Sequence, residues 1–170
     1  MNIKAKKLAL SALFICADVL LTRLLAINTP LMKIGFGFAA VALCALMYGP
    51  LWAALTAALG DLVGSLLFPV GAFFPGFTLT AALTGLIFGL CLYRKKPGLK
   101  TSFFAAALNC VFVTLLANTA MIAFISGAAF KALLLTRLVQ LAVMLPVQWV
   151  TLWALSSSRP IIRMIEQERD

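Results

Sequence analysis

The chain has 170 residues, 64% of them hydrophobic and 11% charged, and carries a net charge of +9 with a mean hydropathy of +1.08. A soluble domain is about half apolar and about a quarter charged, and one this small leaves too much of itself in water to hide so much apolar surface. A soluble fold is excluded, and the composition specifies an integral membrane protein.

A helical span takes about 20 residues, so a chain of this length holds at most about six or seven. There is no histidine, which removes the commonest general base and the commonest metal ligand. Cys16, Cys44, Cys91 and Cys110 all lie in apolar runs with no CxxC pair. They read as small membrane-buried residues, and neither a metal nor a cofactor is implied.

Charges, prolines and glycines divide the chain. Lys4, Lys6 and Lys7 precede an apolar run at 8–27. A signal peptide has similar polarity, but this run is long, carries Asp18 and Arg23, and lacks a small-x-small cleavage site. It is expected to be a retained helix. A second span at 34–48 ends at Gly49-Pro50, and a third occupies 51–68. The stretch PVGAFFPGF at 69–77 is expected to be non-helical. A fourth span at 78–93 stops at the basic loop RKKPGLK, a fifth covers 101–125 and a sixth 132–155, before a polar tail at 156–170. The expected fold is therefore all-α: one membrane domain of six transmembrane helices.

Six spans put both termini on one side. The N-terminal lysines, the 94–100 loop and the tail together hold ten of the fourteen basic residues, and the positive-inside rule makes that side the cytoplasm. The +9 charge is then mostly an orientation and headgroup signal. A nucleic-acid partner would need a basic, aromatic face outside the membrane, and no extramembrane segment is large enough.

An ionisable side chain at bilayer depth costs about 2.5–3.5 kcal/mol on insertion scales and marks a candidate functional position. Asp18, Arg23, Asp61 and Arg137 fall in the outer half, with Lys33 and Lys131 near the rim; Asn109, Asn118, Gln140 and Gln148 are the buried amides. Their convergence in the outer half predicts an outward-facing ligand pocket, closed below. Arg137, Gln140, Met144 and Gln148 recur at helical spacing and form one stripe. Asn109 and Asn118 are nine residues apart, half a revolution out of phase on an α-helix. Only Asn118 is therefore expected in the pocket, with Asn109 making an interhelical hydrogen bond. The structural alternative has Asp18 neutralising Arg23 or Arg137, and the amides bridging helices for about 0.6–2 kcal/mol each.

Non-helical backbone at membrane depth must pack on protein or line a cavity. Phe68, Phe74 and Phe77 around two prolines and two glycines are thus candidates to cover a flat ring; an interfacial aromatic belt is the alternative. Phe36 belongs to a second such cluster, KIGFGF, which Lys33 opens. On the opposite side, Ala5, Ala9 and Ala12 present small residues that let a partner helix approach closely.

The run from Lys33 to Arg94 resembles the S component of energy-coupling factor (ECF) vitamin transporters, and more narrowly the folate-specific S component. The resembling pieces are the GP after the second span, GDLVG around Asp61, and LFPVGAFFPGFTLTAALTG. Six spans and the early AxxxA extend the resemblance over the chain, although Leu13 after Ala9 shortens the small-residue row. It implies a high-affinity capture subunit in a prokaryotic plasma membrane, without enzymatic activity. Such a subunit docks on a transmembrane T component coupled to two cytosolic ATPases, and topples to carry its ligand inward. The absence of a GxxxxGK[ST] loop agrees, since energy must then come from a partner.

For a folate, the dianionic glutamate tail would want Arg23, Lys33, Lys131 or Arg137. The donor edge of the pterin would want Asp61 or Asn118, with Phe68, Phe74 and Phe77 stacking or covering and Phe36 and Gln140 nearby. The rivals are an S component for another vitamin or a nucleobase-like ligand, a small secondary transporter, and a membrane enzyme. No internal repeat supports the second, and no paired acids or nucleophile elbow support the third.

Overall fold

The computed structural model describes residues 3–28, 33–69, 74–95, 98–127 and 130–167. These form helices α1 (Ile3–Val19), α2 (Gly37–Tyr48), α3 (Pro50–Leu67), α4 (Pro75–Leu92), α5 (Leu99–Leu108), α6 (Asn118–Ser126), α7 (Phe130–Ser157) and α8 (Arg159–Gln167). Two stretches of wide π-helix interrupt them: Leu20–Leu24 continues α1, and Asn109–Ala117 joins α5 to α6 into one rod. The single departure from an all-helical fold among these residues is a two-residue antiparallel ladder of β1 (Ile27–Asn28) with β2 (Lys33–Ile34).

Each expected span has a helical counterpart, with changes at the ends: the first runs from Ile3 and stops at Leu24, and Ile27 joins the ladder instead. The segment 69–77 is not wholly non-helical, because α4 begins at Pro75. Proline is at home there, since the first N–H groups of a helix have no intrahelical acceptor; residues 70–73 lie outside the described residues. The second span shortens to 37–48, its first residues being taken by the ladder. The tail is not simply polar coil. Ser158 separates α7 from α8, whose Ile161 and Ile165, four apart on one face, pack onto the core.

Four of the described helical runs, 50–67, 75–92, 99–125 and 133–157, are long and apolar enough to cross a bilayer. Helix α2 has 12 residues, about 18 Å of rise, well short of a hydrocarbon core of about 30 Å. It is instead the central element, wrapped by α1, α3, α4, α7 and α8. Ala42, Cys44 and Ala45 are wholly buried, and small side chains are what allow so many helices to close around it.

Between α2 and α3 the chain reverses at Gly49, whose φ of +87° and ψ of −174° suit glycine alone. Helix α4 then packs closely along α3. A Cβ at Gly89 would collide with the Pro50 backbone, and one at Gly85 with that of Ala53. Because the obstacles are backbone, neither collision can be relieved by a rotamer. Gly89→Val is expected to wedge α3 from α4 and cost about 1–3 kcal/mol, read as a lower melting temperature in detergent. An unchanged melt would show that the two helices do not depend on this contact.

Candidate functional site

The helices enclose a cavity of about 480 Å³, within the usual range for small-molecule sites. It is lined by the ends of α1 and α4 that lie away from Lys6 and Arg94, and by the middle of α7 from Arg137 to Gln148. Its first wall comes from the end of α1. Asp18, Thr22 and Arg23 all line the cavity, although Arg23 lies five residues after Asp18, well over a third of a turn out of phase on an α-helix. The π-helical turn Leu20–Leu24 restores the phase, because a wide turn takes about one residue more than an α turn.

The GDLVG segment of α3 is built around that wall. Gly60 leaves the space into which the Asp18 carboxylate projects, and a Cβ at Gly64 would lie 3.0 Å from Arg23 Nε. Between them, Asp61 meets Arg23. The guanidinium Nη2 donates to Asp61 Oδ1 at 3.5 Å, with the two side chains 9% and 22% exposed. Thr78 Oγ1 donates to the other carboxylate oxygen at 2.9 Å, and Thr22 Oγ1 donates to Asp18 Oδ1 at 3.0 Å. The carboxylate facing Arg23 is thus Asp61, seated on the next helix wall, and Asp18 is held by a glycine-lined recess and a hydroxyl.

The opposite wall is the stripe on α7. Arg137, Gln140, Met144 and Gln148 all line the cavity, and Arg137 Nη1 donates to Gln140 Oε1. Asn118 and Asn109 face it from the 99–126 rod. The half-revolution between them disappears because Asn109–Ala117 is π-helical. At about one extra residue per turn, nine residues make roughly two full revolutions instead of two and a half. One face therefore serves both, which corrects the expectation of Asn118 alone. Asn109 also makes the interhelical bond, donating through Nδ2 to Gln148 Oε1 at 3.1 Å. Asn118 Oδ1 accepts from Thr80 Oγ1 at 2.9 Å.

Phe74 and Phe77 line the mouth in an edge-to-face pair, ring centres 6.1 Å apart. Phe36 and Phe68 do not line the cavity and are each 42% exposed. Phe68 lies just past the last turn of α3, and Phe36 precedes the first residue of α2, so Phe38 is the ring that turns inward. The backbone of Lys33 sits in the ladder; its side chain, like that of Lys131, lies outside what the structure describes. Ala5, Ala9 and Ala12 are remote from the cavity and exposed on the outer side of α1. Thr22, Phe38, Thr78 and Thr80 are further site residues that sequence reasoning missed, although Phe38 closes KIGFGF and Thr78 and Thr80 lie in LFPVGAFFPGFTLTAALTG.

Residues 2–156 match the family described as ECF-type riboflavin transporter, S component. The chain belongs to the S components of ECF-type transporters. A folate transporter FolT of Clostridium novyi (strain NT) is 40% identical over 142 residues, 84% of this chain and 83% of that protein. A FolT of Leuconostoc mesenteroides is 33% identical over 117 residues, covering 69% of this chain and 61% of its relative. A crystal structure of FolT bound with folic acid superposes with a TM-score of 0.84 at 31% identity, over 89% of this chain and 92% of that one. As an S component the protein is a multi-pass membrane transport subunit and not an enzyme.

In this S component the Arg23–Asp61 contact ties α1 to α3 beside the cavity. Asp61→Asn leaves a largely buried guanidinium without its carboxylate, and Arg23→Gln does the converse. Each is expected to lower stability by about 1–3 kcal/mol, measured by thermal melting in detergent. The double variant should lose clearly less than the sum of the singles. Strict additivity would show that the two groups do not interact.

Proposed function

We propose that this S component captures a folate at the outer face of a prokaryotic plasma membrane and delivers it inward as part of an ATP-driven importer. The observation that carries the reading is Arg137: a guanidinium on the cavity wall whose hydrogen-bond partner among the described residues is the neutral amide of Gln140. Such a group calls for an anionic ligand, and a guanidinium grips a carboxylate through two parallel hydrogen bonds. The glutamate tail of a folate supplies two carboxylates. Riboflavin, named in the family description, has none, while the relatives named for folate support the anionic ligand.

The remaining roles follow from the partners. Arg23 is the second candidate for the tail, with Lys33 at the rim. Asp61, occupied by Arg23 and Thr78, is a positioning residue that holds Arg23 in the wall, and does not itself read the pterin. Asn118 with Thr80 stands at mid-cavity. Phe74 and Phe77 cover the aromatic middle of the ligand, with Gln140 orienting Arg137.

The chain is read as a single membrane domain with six spans and both termini in the cytoplasm. Support comes from the arrangement of charge: the lysines that open α1, Arg94 after α4, and Arg159 and Arg163 beyond the end of α7 are all absent from the cavity lining. The energy comes from two cytosolic ATPases through a transmembrane T component. The outer face of α1, where Ala5, Ala9 and Ala12 are exposed, offers the close approach such docking needs, and toppling of the docked subunit carries the cavity inward.

Titration of the purified protein with folic acid is expected to show saturable submicromolar binding. Arg137→Gln should weaken it roughly ten- to a hundredfold while changing the affinity for pteroic acid, which lacks the tail, far less. Equal weakening of both ligands would remove Arg137 from the tail, and tight riboflavin binding in place of folic acid would overturn the ligand. Separately, Ala9→Trp should abolish co-purification with a T component and its ATPases while leaving folic acid binding intact. Retained co-purification would move the docking surface elsewhere.

A further inference from the structure

The aromatic side chains are distributed unevenly along the bundle. The chain has three tryptophans and two tyrosines, and all five sit toward the end where α1 begins and α4 stops. The aromatics that line the cavity are phenylalanines. Tryptophan and tyrosine gather at the level of lipid headgroups, because one end of each ring is apolar and the other forms hydrogen bonds.

Around the Gly49-Pro50 reversal these rings carry cations. Lys7 Nζ lies 5.9 Å from the centre of the Tyr48 ring, and that ring is 6.4 Å from Trp52. The Tyr93 ring packs on Gly49, 3.3 Å from where a Cβ would stand, and the Arg94 guanidinium lies 5.3 Å from its centre. Arg94 holds this place with a left-handed backbone, φ +55°, which a residue with a Cβ adopts only at a cost. A cation seated on a ring is oriented by it and keeps its N–H donors for an acceptor. Among the described residues neither Lys7 nor Arg94 has an acidic partner: Asp18 and Asp61 line the cavity, and the other three acids of the chain fall within 166–170.

Beside this cluster α3 presents a ridge of hydrocarbon. Leu51, Leu55, Leu59 and Leu62 are all exposed, and steps of four, four and three residues place them on one face, with Trp52 at its edge. A partner helix would be better served by small residues, which allow close approach.

We infer that this end of the bundle is a phospholipid site: Lys7 and Arg94 bind the phosphate of an anionic glycerophospholipid, and one acyl chain lies along the leucine ridge. Two ring-held cations without a carboxylate call for an anion, and a lipid brings phosphate and hydrocarbon together at this level of the membrane. The site shares no residue with the cavity lining, so it stands whatever ligand the cavity takes.

The test reads lipid contact at Trp52. Trp149→Phe with Trp153→Phe leaves Trp52 as the sole tryptophan of the full chain, reconstituted in phosphatidylcholine vesicles. Phosphatidylglycerol brominated on its acyl chains should quench it at a roughly tenfold lower mole fraction than brominated phosphatidylcholine. Lys7→Gln with Arg94→Gln should bring the two lipids to parity, whereas Arg159→Gln with Arg163→Gln should leave the preference in place. Equal quenching before any charge is removed overturns the inference, as does a preference that survives loss of Lys7 and Arg94. Equal loss on removing the α8 arginines also overturns it, because the preference would then report diffuse surface charge. Should the tryptophan variant not fold, native mass spectrometry of the unmodified protein from mixed micelles of the two lipids decides: preferential retention of phosphatidylglycerol supports the site, and equal retention overturns it. Two further results would overturn the lipid assignment: stabilisation in detergent by inorganic phosphate alone, which marks a free-anion site, or loss of T-component binding by Lys7→Gln with Arg94→Gln in the absence of any lipid preference, which marks a protein interface.

Discussion

Lipid offers no hydrogen bonds, so every polar side chain of this chain has to find its partner inside the bundle or at its rim. Among the described residues the larger buried polar side chains, Asp18, Asn109, Gln140 and Gln148, consequently also form the wall of the cavity, while small hydroxyls such as Thr56, Ser102 and Ser156 are buried elsewhere. Arg23 and Asp61 satisfy each other across α1 and α3, Thr78 completes the carboxylate, and Thr80 bonds Asn118 between α4 and α6. Each of these contacts fixes a helix and at the same time places a group where a ligand would meet it. Stability and recognition cannot be varied independently at these positions.

Small residues make that economy possible. The central helix α2 is short, alanine-rich and nearly solvent-free, and the α3–α4 interface is close because Gly85 and Gly89 present no side chain to the neighbouring backbone. Large side chains face outward instead: Leu66, Leu79, Phe104 and Phe124 are among the most exposed. That is the reverse of a water-soluble protein and the natural arrangement where the solvent is hydrocarbon. Only at the cavity does the pattern give way to polar lining.

Much of this was legible from hydropathy, because a span announces itself by length and by the charges that end it. Arg23, Asp61, Arg137 and Asn118 could be singled out on the cost of burying them, a local property. What composition could not convey was phase. An α-helical count placed Asn109 and Asn118 on opposite faces, and π-helical geometry in between brings them to one. Pairing was equally hidden: Asp61 lies 38 residues from Arg23 in sequence, and its contact with Arg23 depends on how α3 packs beside α1, where Gly60 leaves room for the Asp18 carboxylate. Helix α8 was legible in principle, since Ile161 and Ile165 recur at helical spacing between charged residues, but the polar composition of the tail obscures that pattern.

The wide turns of Asn109–Ala117 have a consequence for how such a protein diversifies. A π-helical segment holds a surplus residue that its neighbours have already accommodated. Removing one residue there would tighten the rod toward α geometry and swing α6 by something like a quarter of a revolution, exchanging Asn118 and Ile122 for side chains now turned to lipid. The bundle, its span lengths and its outer surfaces would be left almost as they are. Members of a fold that share one energising machine but differ in cargo can in this way alter the lining of the pocket through chain length, without disturbing the surfaces that the shared partner must grip.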